Sequence, residues 1–180
     1  MTEFDPAIAL AAAAKGDEAA WKSIVTAYAG LIWSVARSFR LSTTDAGDVV
    51  QGTWLRLVEH LDEIRDARRL PAWLATTTRR EAINLLRRSG RDVPVEDVDA
   101  FGPARAPGEV DERLLHGETQ RALARAVTQL PHACQRLLRV LFADPPPTYE
   151  TVSAALEMPI GSIGPTRARC LSGLRALLAD

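Results

Sequence analysis

Apolar positions along this chain recur at steps of three and four, the spacing of one face of an α-helix, and almost nowhere alternate as a strand requires. The pattern predicts helices near 6–14, 17–39, 44–63, 71–89, 110–129, 131–142, 148–156 and 162–179. Pro71 and Pro131 suit first-turn positions, where a missing N–H costs nothing, and Thr148 and Ser162 suit N-caps. The expected fold class is all-α. One stretch, "SGRDVPVEDVDAFGPARAPGEVDE", breaks the periodicity with three prolines and several glycines. It predicts a linker over 91–117 between two small helical domains, 1–90 and 118–180.

Three helical stretches have two distinct faces. In "DAGDVVQGTWLRLVEHL" the pattern buries Val50, Trp54, Leu57, Val58 and Leu61, and turns Asp48, Gln51, Leu55, Arg56 and Glu59 outward. An exposed leucine among polar residues suits a protein contact, although single surface leucines are common. In "LPAWLATTTRREAINLLRR", Ala72, Ala75, Ala82, Ile83 and Leu86 lean inward. Trp73, Thr77, Arg80, Asn84 and Arg88 share the other side, with Arg87 beside them. Cations for phosphates, with a ring and amides for bases, make a single-strand platform. The plainer alternative is a solvated face with Trp73 tucked against a neighbour.

The third stretch is "TYETVSAALEMPIGSIGPTRARCL", two short helices joined by a turn, a unit that can hold its second helix against DNA. Val152, Ala155, Leu156, Ile160 and Ile163 read as core, continued by Cys170, Leu171, Leu174, Leu177 and Leu178. Pro165, Ala168, Arg169 and Ser172 point away, with the proline expected at the third helical position. A first turn of small residues with Arg169 suits a phosphate backbone and base edges. Arg167 falls within the apolar stripe and is expected to snorkel toward a phosphate. The alternative is a plain αα-hairpin with solvated arginines.

Composition narrows the classes. With 47% apolar residues the chain is not a disordered one. No run approaches the roughly 18 apolar residues of a membrane span, and "MTEFDPAIAL" has acids where a signal peptide has bases. A cytoplasmic protein without membrane insertion is expected. Cys134 and Cys170 lie far apart without ligand-like spacing, so neither disulfide nor zinc site is expected, and Cys170 reads as a small core residue. Three histidines (His60, His116, His132) and no glycine-rich phosphate loop supply no catalytic set. No enzyme activity, cofactor or metal is expected. The net charge of −1 hides an asymmetry. Basic and acidic residues number 12 and 11 in 1–90, 3 and 8 in 91–118, and 7 and 4 in 119–180.

The stretches "GDEAAW", "DAGDVVQGTWLRL", "LPAWLATTTRREAINLLRR", "LPHACQRLLRVLF" and "YETVSAALEMPIGSIGPTRARCLSGLR", in that order and with a linker between, resemble a bacterial RNA polymerase sigma factor. The resemblance is to the extracytoplasmic-function (ECF) group of the sigma-70 family, over roughly 8–90 and 115–178. It implies that Asp48, Gln51, Leu55 and Arg56 dock on the polymerase clamp. It implies that Arg68, Arg69, Trp73, Thr77, Arg80, Asn84, Arg87 and Arg88 open and hold the −10 element as a single strand. It assigns Ser162, Gly164, Pro165, Thr166, Arg167 and Arg169, in the C-terminal helix-turn-helix, to the −35 element as duplex. The implied partners are core RNA polymerase, promoter DNA and, in some members, an anti-sigma factor. Glu81 departs from the family's Asn and puts an acid within the single-strand face; Glu157 departs from its Gly in the turn. Gly164 and Pro165 replace its usual polar pair. The rival reading is a helix-turn-helix regulator that binds duplex DNA without polymerase.

Overall fold

A computed structural model of the protein describes residues 4–90 and 117–179. Its helices are α1 Pro6–Ala13, α2 Glu18–Arg37, α3 Thr43–Glu59, α4 Leu70–Arg88, α5 Glu118–Gln129, α6 His132–Leu141, α7 Tyr149–Leu156 and α8 Ile160–Ala179. Two single turns of 3-10 helix, Leu61–Glu63 and Ala67–Arg69, join α3 to α4. The expected linker, apart from Gly117, lies outside the described residues, as do His116 and the start of the helix expected from 110.

The helices begin where side chains answer the free N–H groups of a first turn. Asp5, Asp17 and Ser42 accept from the backbone of α1, α2 and α3. Thr148 caps α7 as expected, accepting from Thr151 N at 3.3 Å. Ser162 does not cap α8, which starts two residues earlier at Ile160; its hydroxyl donates to the Pro159 carbonyl at 2.7 Å. Pro165 therefore sits six residues into α8, not three, and removes an intrahelical N–H bond. Pro131 is the N-cap of α6 rather than part of its first turn.

Helices α2, α3 and α4 enclose Ile24, Ile32, Val35, Leu57 and Leu74, all fully buried and each worth about 1.5–3 kcal/mol in removed apolar surface. Helices α6, α7 and α8 do the same with Leu137, Val140, Val152, Leu156 and Ile163. Cys134 and Cys170 correct the sequence reading. They form a disulfide with Cα atoms 5.3 Å apart, because α6 and α8 pack side by side and both cysteines face inward. Their separation of 36 residues hides that neighbourhood. Ile160 and Leu178, expected in the core, are 50% and 47% exposed at the two ends of α8.

The two helical groups touch. Helix α7 lies against α4, and α6 against α2. Arg79 of α4 pairs with Glu157 at the end of α7. Arg139 of α6 donates to the Arg37 carbonyl at 3.0 Å, and the Arg136 guanidinium lies 4.9 Å from the Phe39 ring centre. Gly30, inside α2, leaves the space that the Asp144 backbone fills.

Candidate polymerase and nucleic-acid interfaces

The outer face of α3 carries the first candidate surface. Asp48, Gln51, Leu55 and Arg56 are exposed as expected. The buried face is rotated from the expected one, comprising Ala46, Val49, Val50, Thr53 and Leu57. Thr53 is the reason: its hydroxyl donates to the Val49 carbonyl at 2.8 Å and lies 3.3 Å from the Thr78 hydroxyl of α4. A satisfied hydroxyl can be buried, but a count of apolar positions passes it over. Val58 is displaced outward and is 52% exposed, next to Leu55 at 59%. With Trp21, Trp54, Asp48 and Gln51 they line an open groove of about 480 Å³. Apolar ground with a polar rim fits a protein partner better than a phosphate backbone.

Arg56 is not a free cation on that face. It meets Glu59 at 3.0 Å and Glu81 at 3.5 Å, and both acids raise its pKa, Glu59 foremost. Glu81 turns toward α3, with its side chain only 19% exposed, so it does not place an acid within the outer face of α4.

That outer face is the second surface. Arg80, Asn84, Arg87 and Arg88 stand in solvent, and Thr77 is half-buried. Trp73 divides between the two readings: it packs partly on the core and its ring lies 6.2 Å from the His60 ring. Arg68 and Arg69 are at the entrance to α4, and both turn toward Asp66, at 3.0 and 3.9 Å. The hydrogen bonds from Arg68 hold the Asp66 carboxyl below its ordinary range. The buried side of α4 is Leu70, Leu74, Ala75, Thr78, Ala82 and Leu86; Ala72 and Ile83, expected there, are half-buried.

The third surface is the start of α8. Pro165, Arg167, Ala168 and Arg169 are exposed, so Arg167 does not sit in the apolar stripe. Thr166 takes that place: it is 8% exposed, and its hydroxyl accepts from Arg169 Nη2 at 3.3 Å. It orients the arginine and offers no free surface of its own. A hydrogen-bonded threonine takes a core position that a reading by polarity gives to apolar residues, and Arg167 is turned outward. Ser162 and Gly164 are half-buried. A side chain added at Gly161 or Gly164 would meet nothing within 4 Å, so packing within the chain does not demand glycine at either. Bare backbone there leaves room for another backbone to come close. Glu157 ends α7 at φ 53° and ψ 36°, the left-handed conformation in which a non-glycine residue costs about 1–2 kcal/mol.

Residues 24–92 match the family model for Sigma-70 region 2, a span that takes in the exposed faces of both α3 and α4. The ECF RNA polymerase sigma-E factors of Escherichia coli (strain K12) and Salmonella typhimurium (strain LT2) are each 25% identical over 157 residues, covering 83% of this chain and 81% of theirs. The chain is thus similar to the ECF group of the sigma-70 family. The fold agrees over nearly its whole length with CnrH, solved in complex with the cytosolic domain of CnrY, at a TM-score of 0.61, 22% identity and 96% coverage of each chain. Among the described residues no helix is long and apolar enough to cross a membrane.

Proposed function

We propose that this chain is a sigma factor of the ECF group, which docks on core RNA polymerase through Asp48, Gln51 and Leu55 on α3 and carries promoter DNA on α4 and α8. Arg80, Asn84, Arg87 and Arg88, with Trp73 and Thr77 beside them, take the unpaired −10 strand, and Arg68 and Arg69 guide it in. Arg167 and Arg169, beside the bare backbone of Gly161 and Gly164, meet the −35 duplex. The division 1–90, 91–117 and 118–180 separates the polymerase and −10 functions from the −35 function. The protein acts in the cytoplasm, without catalysis of its own, and an anti-sigma factor is a further partner in this reading.

One observation supports it above the others: a protein-type groove and a single-strand platform lie on adjacent helices, in a chain that also ends in a helix-turn-helix. A regulator that binds duplex DNA unaided has no use for the first two. The test is run-off transcription with purified core polymerase. Leu55→Asp abolishes core binding in a pull-down while the fold persists, and Arg169→Ala weakens −35-dependent promoters by about 1–3 kcal/mol. Nanomolar, sequence-specific duplex binding by the free protein, with no response to core, would support the rival regulator instead.

A further inference from the structure

We propose that the cavity between the end of α2, the start of α3 and the face of α6 binds a small phosphorylated anion. The cavity has a volume of about 310 Å³, at the lower end of the range for ligand sites. Its walls carry Arg37, Arg40, Arg136, Arg139 and His132, and no lining residue is acidic. Ser42 and Thr43 add hydroxyls, at the N-terminus of a 17-residue helix whose dipole favours negative charge.

This is a built arrangement. Arg136 is only 6% exposed and is held over the Phe39 ring. Arg139 is tied to the Arg37 carbonyl. Arg40 is held at φ 54°, a left-handed backbone that costs a non-glycine residue about 1–2 kcal/mol. The imidazole of His132 is pushed down to about 4, first by burial and then by Arg40, Arg136 and Arg139, and its Nε2 is buried without a partner. Guanidinium forks, hydroxyls and a helix N-terminus converge from several directions, which suits a tetrahedral phosphate better than a planar carboxylate.

The site needs both helical groups, because α2 and α3 come from one and α6 from the other. An anion held there favours the docked arrangement, about a hundredfold at a hundred times its dissociation constant.

Inorganic pyrophosphate tests the idea, added to the free 180-residue protein at constant ionic strength. The expected result is a saturable change in the His132 ring signal by NMR, with its pKa rising from about 4, and a higher melting temperature. Arg40→Asn, at an exposed position where asparagine tolerates the backbone, weakens the affinity about tenfold or more without lowering stability in the absence of ligand. No saturable response, an equal response to chloride, or an affinity that Arg40→Asn leaves unchanged overturns the proposal. So does a His132 response to duplex DNA alone, which makes the cluster a backbone contact. Core polymerase takes no part, so the outcome is independent of the promoter reading.

Discussion

Gly30→Ala is the substitution that most directly probes the contact between the two helical groups. Gly30 lies in the interior of α2, where glycine costs about 0.5–1 kcal/mol relative to alanine. Considering α2 alone, the change is favourable. A Cβ at that position would overlap the Asp144 carbonyl oxygen and lie 3.2 Å from the carbonyl carbon and 3.5 Å from the amide nitrogen. The obstacle is backbone, so no side-chain rotation relieves it, and the segment after α6 must retreat from α2. Overpacking of this kind costs about 1–3 kcal/mol, and only when the groups are docked. The ratio of docked to separated protein therefore falls about 5- to 150-fold, while α2 itself gains stability.

Small-angle scattering reads the first effect and denaturation the second. Gly30→Ala is expected to increase the radius of gyration over the parent's; a fully compact chain of this length would have about 16 Å. It is also expected to preserve the core of α2, α3 and α4. An unchanged radius with a raised melting temperature would refute the reasoning, since it would mean that Asp144 does not approach Gly30 in solution.

The remaining predictions concern α6 to α8. At the left-handed position, Glu157→Gly is expected to be more stable than Glu157→Ala by about 1 kcal/mol, since both lose Arg79 and only alanine keeps the strain; equal urea midpoints would contradict this. His132 has a folded pKa of about 4, below its ordinary 6.5. The unfolded chain thus binds more protons in that window, and stability is complete above about 6.5 and declines as pH falls toward 4. Because the ring is only half-buried, the loss is about 1–2 kcal/mol after allowing for screening; it should vanish in His132→Gln, and a pH profile identical in the two proteins would count against it. Replacing both Cys134 and Cys170 by alanine removes a bond that spans 36 residues, and is expected to lower non-reducing stability by about 3–4 kcal/mol. The same loss should appear in the parent on reduction, and parent and variant with equal midpoints under oxidising conditions would exclude the bond.

The helices were legible because their apolar spacing is strong, and seven of the eight expected starts fall within two residues of the observed ones; the other, at 110, lies outside the described residues. Faces were less legible than helices, and the failures have one physical origin. Thr53, Thr78 and Thr166 are buried with their hydroxyls hydrogen-bonded, so a rule that sorts residues by polarity turns each helix by about one position. Val58 and Arg167 moved outward in consequence. The early start of α8 compounds this at Ile160 and Pro165. The disulfide and the docking of α7 on α4 were not legible at all, because each depends on which helices become neighbours, and periodicity is silent on that.

The two acids that depart from the family's pattern acquire a common explanation once neighbours are known. Glu81 reaches from α4 to Arg56 on α3, and Glu157 reaches from the end of α7 to Arg79 on α4. Each puts a negative charge where it meets an arginine of an adjacent helix, and neither lies among the exposed residues Arg80, Asn84, Arg87 and Arg88. Removing Glu81 would leave Arg56 paired with Glu59 alone, and removing Glu157 would break the pair with Arg79. Surface pairs of this kind are worth about 0–1 kcal/mol each, too little to decide the fold. They are enough to bias two arrangements that are closely matched, such as α7 docked on α4 or free of it. Helix α4 thus carries one ion pair to α3 and one to the end of α7, in addition to its proposed single-strand face.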